Sequence, residues 1–204
     1  MPDPSAKVDG RTLRAERTRE SVIDAYTALL LGGNLKPTAQ EIAAKANVSQ
    51  RAVFNNFNDL ETLVAAVGAR TLAIATKDFE RIPVDLPLAE RILRFSRRRA
   101  KVLESIGPIT RAVQLRIPFS ADVQKSRARH YDRVRREIRK LFADELAAAV
   151  DEKSLTKALL VASSAAAWSS ARDDLGLGAE EATEILRRTV TGLIRDSVNP
   201  SVSD

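Results

Sequence analysis

Residues 38–57 read TAQEIAAKANVSQRAVFNNF, a run of good helix formers that nevertheless carries two helix starts and one stop. Thr38 to Glu41 spell T-x-x-E, a capping box in which the hydroxyl and the carboxylate satisfy orphan backbone donors reciprocally. Ile42, Ala43 and Ala46 give the helix that follows one apolar edge. Asn47 stands where the chain must reverse, and Asn tolerates the left-handed backbone that ends a helix. Ser49 is a good N-cap for a second helix running from Gln50 to about Asn56. Val48 falls in the turn, placed to pack between the two helices and fix their angle.

In that second helix Val53 and Phe57 lie four apart and face inward. Gln50, Arg51, Asn55 and Asn56, with Ala52 beside them, are left for the outside. The pattern is a helix-turn-helix whose second helix exposes groups able to bond base edges in double-stranded DNA. Thr38, Ser49 and Phe54 would position it on the phosphate backbone, helped by Arg11, Arg14 and Lys36. A head this small reads only a few base pairs, so specificity predicts a homodimer on a two-fold-related site.

Elsewhere the apolar spacing is helical and no alternating strand is convincing, so the fold class is all-α. Val22, Tyr26, Leu29 and Leu30 mark a first helix, ended by Gly32-Gly33. Later helices are predicted at about 59–81, 87–105, 108–116, 120–150, 153–175 and 179–197, with Gly107-Pro108 separating two of them. The last two carry Leu155, Leu159, Ile185 and Leu186, then Val190, Leu193 and Ile194. Paired with their copies, these would form a four-helix dimer interface. The organisation reads as a tail over 1–10, a helix-turn-helix head over 11–58, and a connecting helix over 59–81. A helical, dimer-forming body over 82–197 and a second tail over 198–204 complete it.

Thr38 opening a helix, Ala46 with Val48-Ser49 at the turn, Phe54-Asn55-Asn56-Phe57 closing the next helix, and Glu61-Thr62-Leu63 opening another form a specific series. Over residues 14–67 this series resembles the tetracycline-repressor (TetR) family of bacterial transcriptional regulators. The resemblance implies a three-helix DNA-binding head on a helical body, the same dimer interface, and an operator as partner. It also implies a pocket for a small-molecule effector within about 87–175, whose occupancy shifts the connecting helix and releases DNA. Candidate lining residues are Phe95, Phe119, Tyr131 and Trp168, with Arg111, Gln114, His130 and Arg172 as polar groups. They point to an elongated aliphatic effector with an acidic or carbonyl end. Trp168 also reads as core or subunit-contact packing. The chain departs from the family pattern at Asn47 (usually Gly), Phe54 (Tyr), Asn56 (His) and Leu60 (Lys). Phe54 and Leu60 remove phosphate contacts usual in the family, which predicts a shallower salt dependence of DNA binding.

Charge does not single out the head. Residues 1–60 hold eight Lys/Arg against seven Asp/Glu, whereas residues 91–140 hold sixteen against four. The body's arginines read as solvated helix faces, with the lining of an anion pocket as the alternative. Enzymatic chemistry has little to use: a single histidine excludes a two-histidine metal site, and no cofactor motif is present. Asp173-Asp174 and Glu180-Glu181 read as solvated helix caps. With no cysteine, no apolar leader and no run near ~18 apolar residues, the expectation is a cytoplasmic protein without a membrane partner. The competing reading is a helical scaffolding protein with a vestigial head, which would have no reason to keep four exposed hydrogen-bonding residues on one helix.

Overall fold

The computed structural model describes residues 10–77, 80–114 and 121–199, and every regular element among them is helical. The elements are α1 (Gly10–Leu31), α2 (Ala39–Ala46), α3 (Gln50–Asn56), α4 (Leu60–Thr76) and α5 (Leu88–Gln114). They continue with α6 (Ala121–Leu141), α7 (Ala143–Ala148), α8 (Glu152–Ala162), α9 (Ala165–Ser169), a π turn at Ser170–Asp174, and α10 (Ala179–Val198). No helix among the described residues is long and apolar enough to cross a membrane. The chain divides into two compact units: Met1–Arg70 with Pro108–Gln124, and Thr71–Gly107 with Lys125–Asp204.

In the first unit α1 ends where the double glycine predicts. Gly33 takes a positive φ of 91°, and the N–H groups of Gly33 and Asn34 bond the carbonyls of Leu30 and Leu29, both at 3.0 Å. That is a Schellman closure, which an L side chain at Gly33 would strain. The core of the unit gathers Val22, Tyr26 and Leu30 from α1, Ile42 from α2, and Val53 with Phe57 around α3. Leu63 and Val67 of α4 close it, with Ile109 and Ala112 from the end of α5. Two side chains tie α1 to the neighbouring helix ends. Ser21 donates to the Ala46 carbonyl at 3.1 Å, and Arg19 donates to the Asn56 carbonyl at 2.8 Å. Arg70 on α4 bridges Glu20 and Asp24 on α1 at 2.8 and 2.9 Å.

The second unit departs from the predicted helices in three places. First, α5 runs straight through Gly107-Pro108 instead of stopping there. An interior proline removes one backbone bond at a cost of about 3 kcal/mol. Burial on both sides offsets that cost, for Leu103 packs in the second unit's core while Ile109 and Ala112 pack in the first's. The Gly-Pro pair therefore marks the boundary between compact units, not the end of a helix.

Second, the helix predicted over 120–150 is interrupted at Phe142, between α6 and α7. Phe142 is fully buried and meets Phe95 edge-on, with ring centroids 5.5 Å apart. Arg91 donates to the Leu141 carbonyl left at the end of α6, then bonds both oxygens of Glu145 at 2.9 and 2.6 Å. Third, the helix predicted over 153–175 breaks at Ser163-Ser164. The Ser163 hydroxyl bonds back to the Leu159 carbonyl at 2.7 Å, Arg99 takes the Ser163 carbonyl at 2.6 Å, and Ser164 caps α9 through the Ala167 N–H. Serine competes with helix bonding in this way.

The predicted dimer face also needs correction. Leu155 and Leu159 of α8, with Leu186, Val190 and Ile194 of α10, are buried in the chain's own core and are not free to meet a copy. The reason is spacing: Ala182, Leu186, Val190 and Ile194 recur every four residues and form the single inward stripe of α10. Ile185 remains 43% exposed, and Leu193 is partly buried at the edge of the core.

Candidate nucleic-acid interface

The turn between α2 and α3 is built as its residues dictate. The Thr38 hydroxyl accepts the Glu41 N–H at 3.2 Å, while Glu41 accepts the Thr38 N–H at 2.7 Å. The Thr38 backbone and hydroxyl together hold the Glu41 carboxyl below its ordinary range. Asn47 adopts φ 55° and ψ 46°, alone among the described non-glycine residues in having a positive φ. The Val48 N–H reaches back to the Ala43 carbonyl at 3.0 Å, closing α2. Ser49 then caps α3 by accepting the Ala52 N–H at 3.1 Å.

These caps fix the rotation of α3. Val53 and Phe57 point into the core, each about 1% exposed, and the Arg19 guanidinium lies 4.3 Å over the Phe57 ring. Gln50, Arg51, Phe54 and Asn55 are exposed. Gln50 with Phe54, and Arg51 with Asn55, form i,i+4 neighbours on the outer face. Asn56 differs from the expectation: it is half-buried and donates its amide to the Ala52 carbonyl at 2.8 Å, so it is turned back on its own helix. Ala52 is half-buried beneath the outer face of α3. Thr38, Ser49, Lys36 and Arg14 are exposed in the same unit, while the side chain of Arg11 lies outside the described residues.

Asp59 is a site residue that sequence reasoning passes over. It accepts the Thr62 N–H at 2.6 Å and its hydroxyl at 2.7 Å, and those two bonds hold its carboxyl below the usual range. It therefore caps α4 directly after α3. The signal is present as D-x-x-T ahead of an apolar run.

The expected effector residues are not brought together around one space. Phe95 is fully buried against Phe142. Trp168 is 7% exposed and donates its indole N–H to Glu104 at 2.8 Å, the carboxylate that Arg172 also grips at 2.8 Å. Arg111 is exposed and belongs to the first unit. The side chain of Gln114, and the whole of Phe119, lie outside the described residues. His130 accepts an N–H of Arg133 through Nδ1 at 3.1 Å and stacks edge-on with Tyr131. The second unit instead holds a cavity of about 200 Å³ lined by Thr76, Arg98, Arg99 and Val102 with Arg133, Val134 and Glu137. None of the eight expected residues lines it.

No protein-family model matches the chain. No curated protein matches it significantly either. Solved structures do. A transcriptional regulator from Rhodococcus sp. Rha1 superposes with a TM-score of 0.67 at 13% identity, covering 92% of this chain and 99% of that one. A TetR transcription regulator from Haloarcula marismortui superposes with a TM-score of 0.64 at 18% identity, covering 88% and 97%. The chain has the all-helical fold of TetR-type transcription regulators.

Proposed function

We propose that this chain is a sequence-specific, DNA-binding transcriptional regulator of TetR type. It acts as a homodimeric repressor that a small-molecule effector releases from its operator. One observation carries the reading: α3 is locked by caps at Thr38, Asn47 and Ser49 so that Gln50, Arg51 and Asn55 face outward while Val53 and Phe57 face in. Arg bidentate to guanine and Asn or Gln to adenine are the base contacts such a face can make, worth roughly 1–3 kcal/mol each. Likeness to structures of transcription regulators supports the same reading. The DNA-reading set narrows to Gln50, Arg51 and Asn55, with Phe54, Thr38, Ser49, Lys36 and Arg14 against the backbone.

The α4 helix supports the coupling, because it is continuous from Leu60 in the first unit to Thr76 in the second. A ligand that displaced its last turn would act on a helix that packs Leu63 and Val67 in the head core. Coupling of about 1–3 kcal/mol would release an operator.

The test is Arg51→Ala against duplex DNA from upstream of the chain's own gene. Loss of a base contact predicts about 5- to 150-fold weaker binding in a mobility shift, with an unchanged melting temperature. Wild-type affinity in Arg51→Ala, Gln50→Ala and Asn55→Ala alike would refute the assignment. A monomer by analytical ultracentrifugation at micromolar concentration would refute the dimer.

A further inference from the structure

Three consecutive arginines of α5 fare very differently. Arg97 is exposed, Arg98 is half-buried, and Arg99 is 3% exposed. Arg99 lines the 200 Å³ cavity together with Arg98 and Arg133, yet the cavity wall holds a single carboxylate, Glu137. Arg98 pairs with that carboxylate. Among the described residues neither Arg99 nor Arg133 is within ion-pair distance of any acid. Arg133 meets His130, and Arg99 spends one Nη on the Ser163 carbonyl. Its Nε is buried with no hydrogen-bond partner. A buried charge that lacks a counter-charge is costly, and so is a buried donor that lacks an acceptor.

The surroundings add to the imbalance. His130 is neutral at pH 7, for burial and then Arg99 and Arg133 push its pKa down to about 4. Burial, followed by Arg133 and Arg98, likewise lowers Arg99 to about 10. Arg99 nevertheless stays protonated, so two cations line the cavity with no acid within ion-pair distance among the described residues. Val102 and Val134 supply apolar wall, and Thr76 a hydroxyl-bearing one.

The geometry points to a binding site for a small organic carboxylate, its anionic end held by Arg99 and Arg133 and its apolar end against Val102 and Val134. The guanidinium groups of Arg99 and Arg133 that line the cavity offer a carboxylate the planar, charge-assisted geometry it prefers. The cavity is smaller than the ~300–1,000 Å³ typical of drug-sized ligands, which favours a compact ring or short chain over an elongated one. The inference rests on the regulator reading only for what the anion does, since Thr76 ends the helix that reaches the head; its binding stands on the cavity alone.

Calorimetric titration of the full chain at pH 7 with benzoate, and with benzamide as its neutral counterpart, tests the site. Benzoate should bind and raise the melting temperature, and benzamide should do neither at the same concentration. Arg99→Met should weaken benzoate by about ten-fold or more, the value of a charged hydrogen bond. Arg133→Gln should also weaken it, and Arg97→Gln should not. If circular dichroism shows Arg99→Met to be unfolded, Arg133→Gln carries the comparison. Absence of benzoate binding at millimolar concentration, equal response to benzamide, or wild-type affinity in Arg99→Met and Arg133→Gln would overturn the proposal. Mobility shifts with and without benzoate separate the two readings. Binding that leaves DNA affinity unchanged keeps the anion site and removes its effector role. A wild type that ignores DNA removes the regulator reading and leaves the titration intact.

Discussion

The two compact units differ in what holds their helix interruptions. In the first, local caps set most stops and starts: Leu29 with Asn34, Thr38 with Glu41, Ser49 with Ala52, Asp59 with Thr62, while Ser21 and Arg19 add longer-range bonds to the Ala46 and Asn56 carbonyls. In the second, two interruptions are held by arginines far away in sequence. Arg91 reaches the Leu141 carbonyl 50 residues on, and Arg99 the Ser163 carbonyl 64 residues on. Local caps give a head whose surface is fixed by its own sequence. Buried cations give a body whose shape depends on partners elsewhere in the chain.

The largest expected effect breaks the body. Arg91→Ala strands the Glu145 carboxylate, 13% exposed, together with the Leu141 carbonyl. Loss of one partner of a buried pair costs about 3–5 kcal/mol. Urea unfolding should show that loss, and Arg91→Met with Glu145→Met should recover a large part of it by replacing both charges with apolar groups. If the double variant were as damaged as the single one, the arginine would matter for its packing and not for its charge.

A smaller effect sharpens the head side of the contrast. Asn47→Ala forces a side chain into left-handed backbone at about 1–2 kcal/mol, while Asn47→Gly should cost nothing or stabilise slightly. Thr38→Ala removes half of the capping box at about 1 kcal/mol. Stability measured by denaturant should follow that order. An Asn47→Gly variant less stable than Asn47→Ala would show that Asn47 acts through its amide and not through its backbone.

The mildest effect is a slope. His130 titrates at about 4 in the folded chain against an ordinary 6.5, with Arg99, Arg133 and Tyr131 facing it. Between those two values the unfolded chain binds the extra proton, so stability falls as pH drops from about 6.5 toward 4. The sequence has one histidine, so the upper part of this window belongs to it. His130→Gln should flatten the slope between pH 6.5 and 5 in thermal melts, and an unchanged slope would place the imidazole in water.

This contrast also explains what can be read from sequence. Thr38, Glu41, Asn47 and Ser49 are legible because a cap is chemistry between near neighbours. Phe142 is not, because nothing beside it announces that Arg91 will take the Leu141 carbonyl; Ser163-Ser164 carries a local serine signal, but nothing there announces Arg99. Pro108 reads as a breaker because propensity weighs the lost bond and not the burial of Leu103 and Ile109 on either side. The cavity lies hidden in a run of arginines that reads as a solvated face. Its signal is phase: Phe95, Arg99 and Leu103 recur every four residues, which puts one arginine on the apolar stripe of α5. The folded-back amide of Asn56 follows from its place in the last turn of α3, where the Ala52 carbonyl lies four residues behind it.

On the proposed function, the capped head reads DNA sequence. Selection of duplexes from a random pool by the full chain, followed by sequencing, tests it whatever the operator turns out to be. A dimer of such heads should enrich a two-fold-symmetric sequence whose half-sites lie about one helical turn, ~34–36 Å, or a multiple of it apart, and Arg51→Ala should lose that enrichment. A selected pool indistinguishable from the starting one, or the same enriched sequence from wild type and from Arg51→Ala, would contradict it.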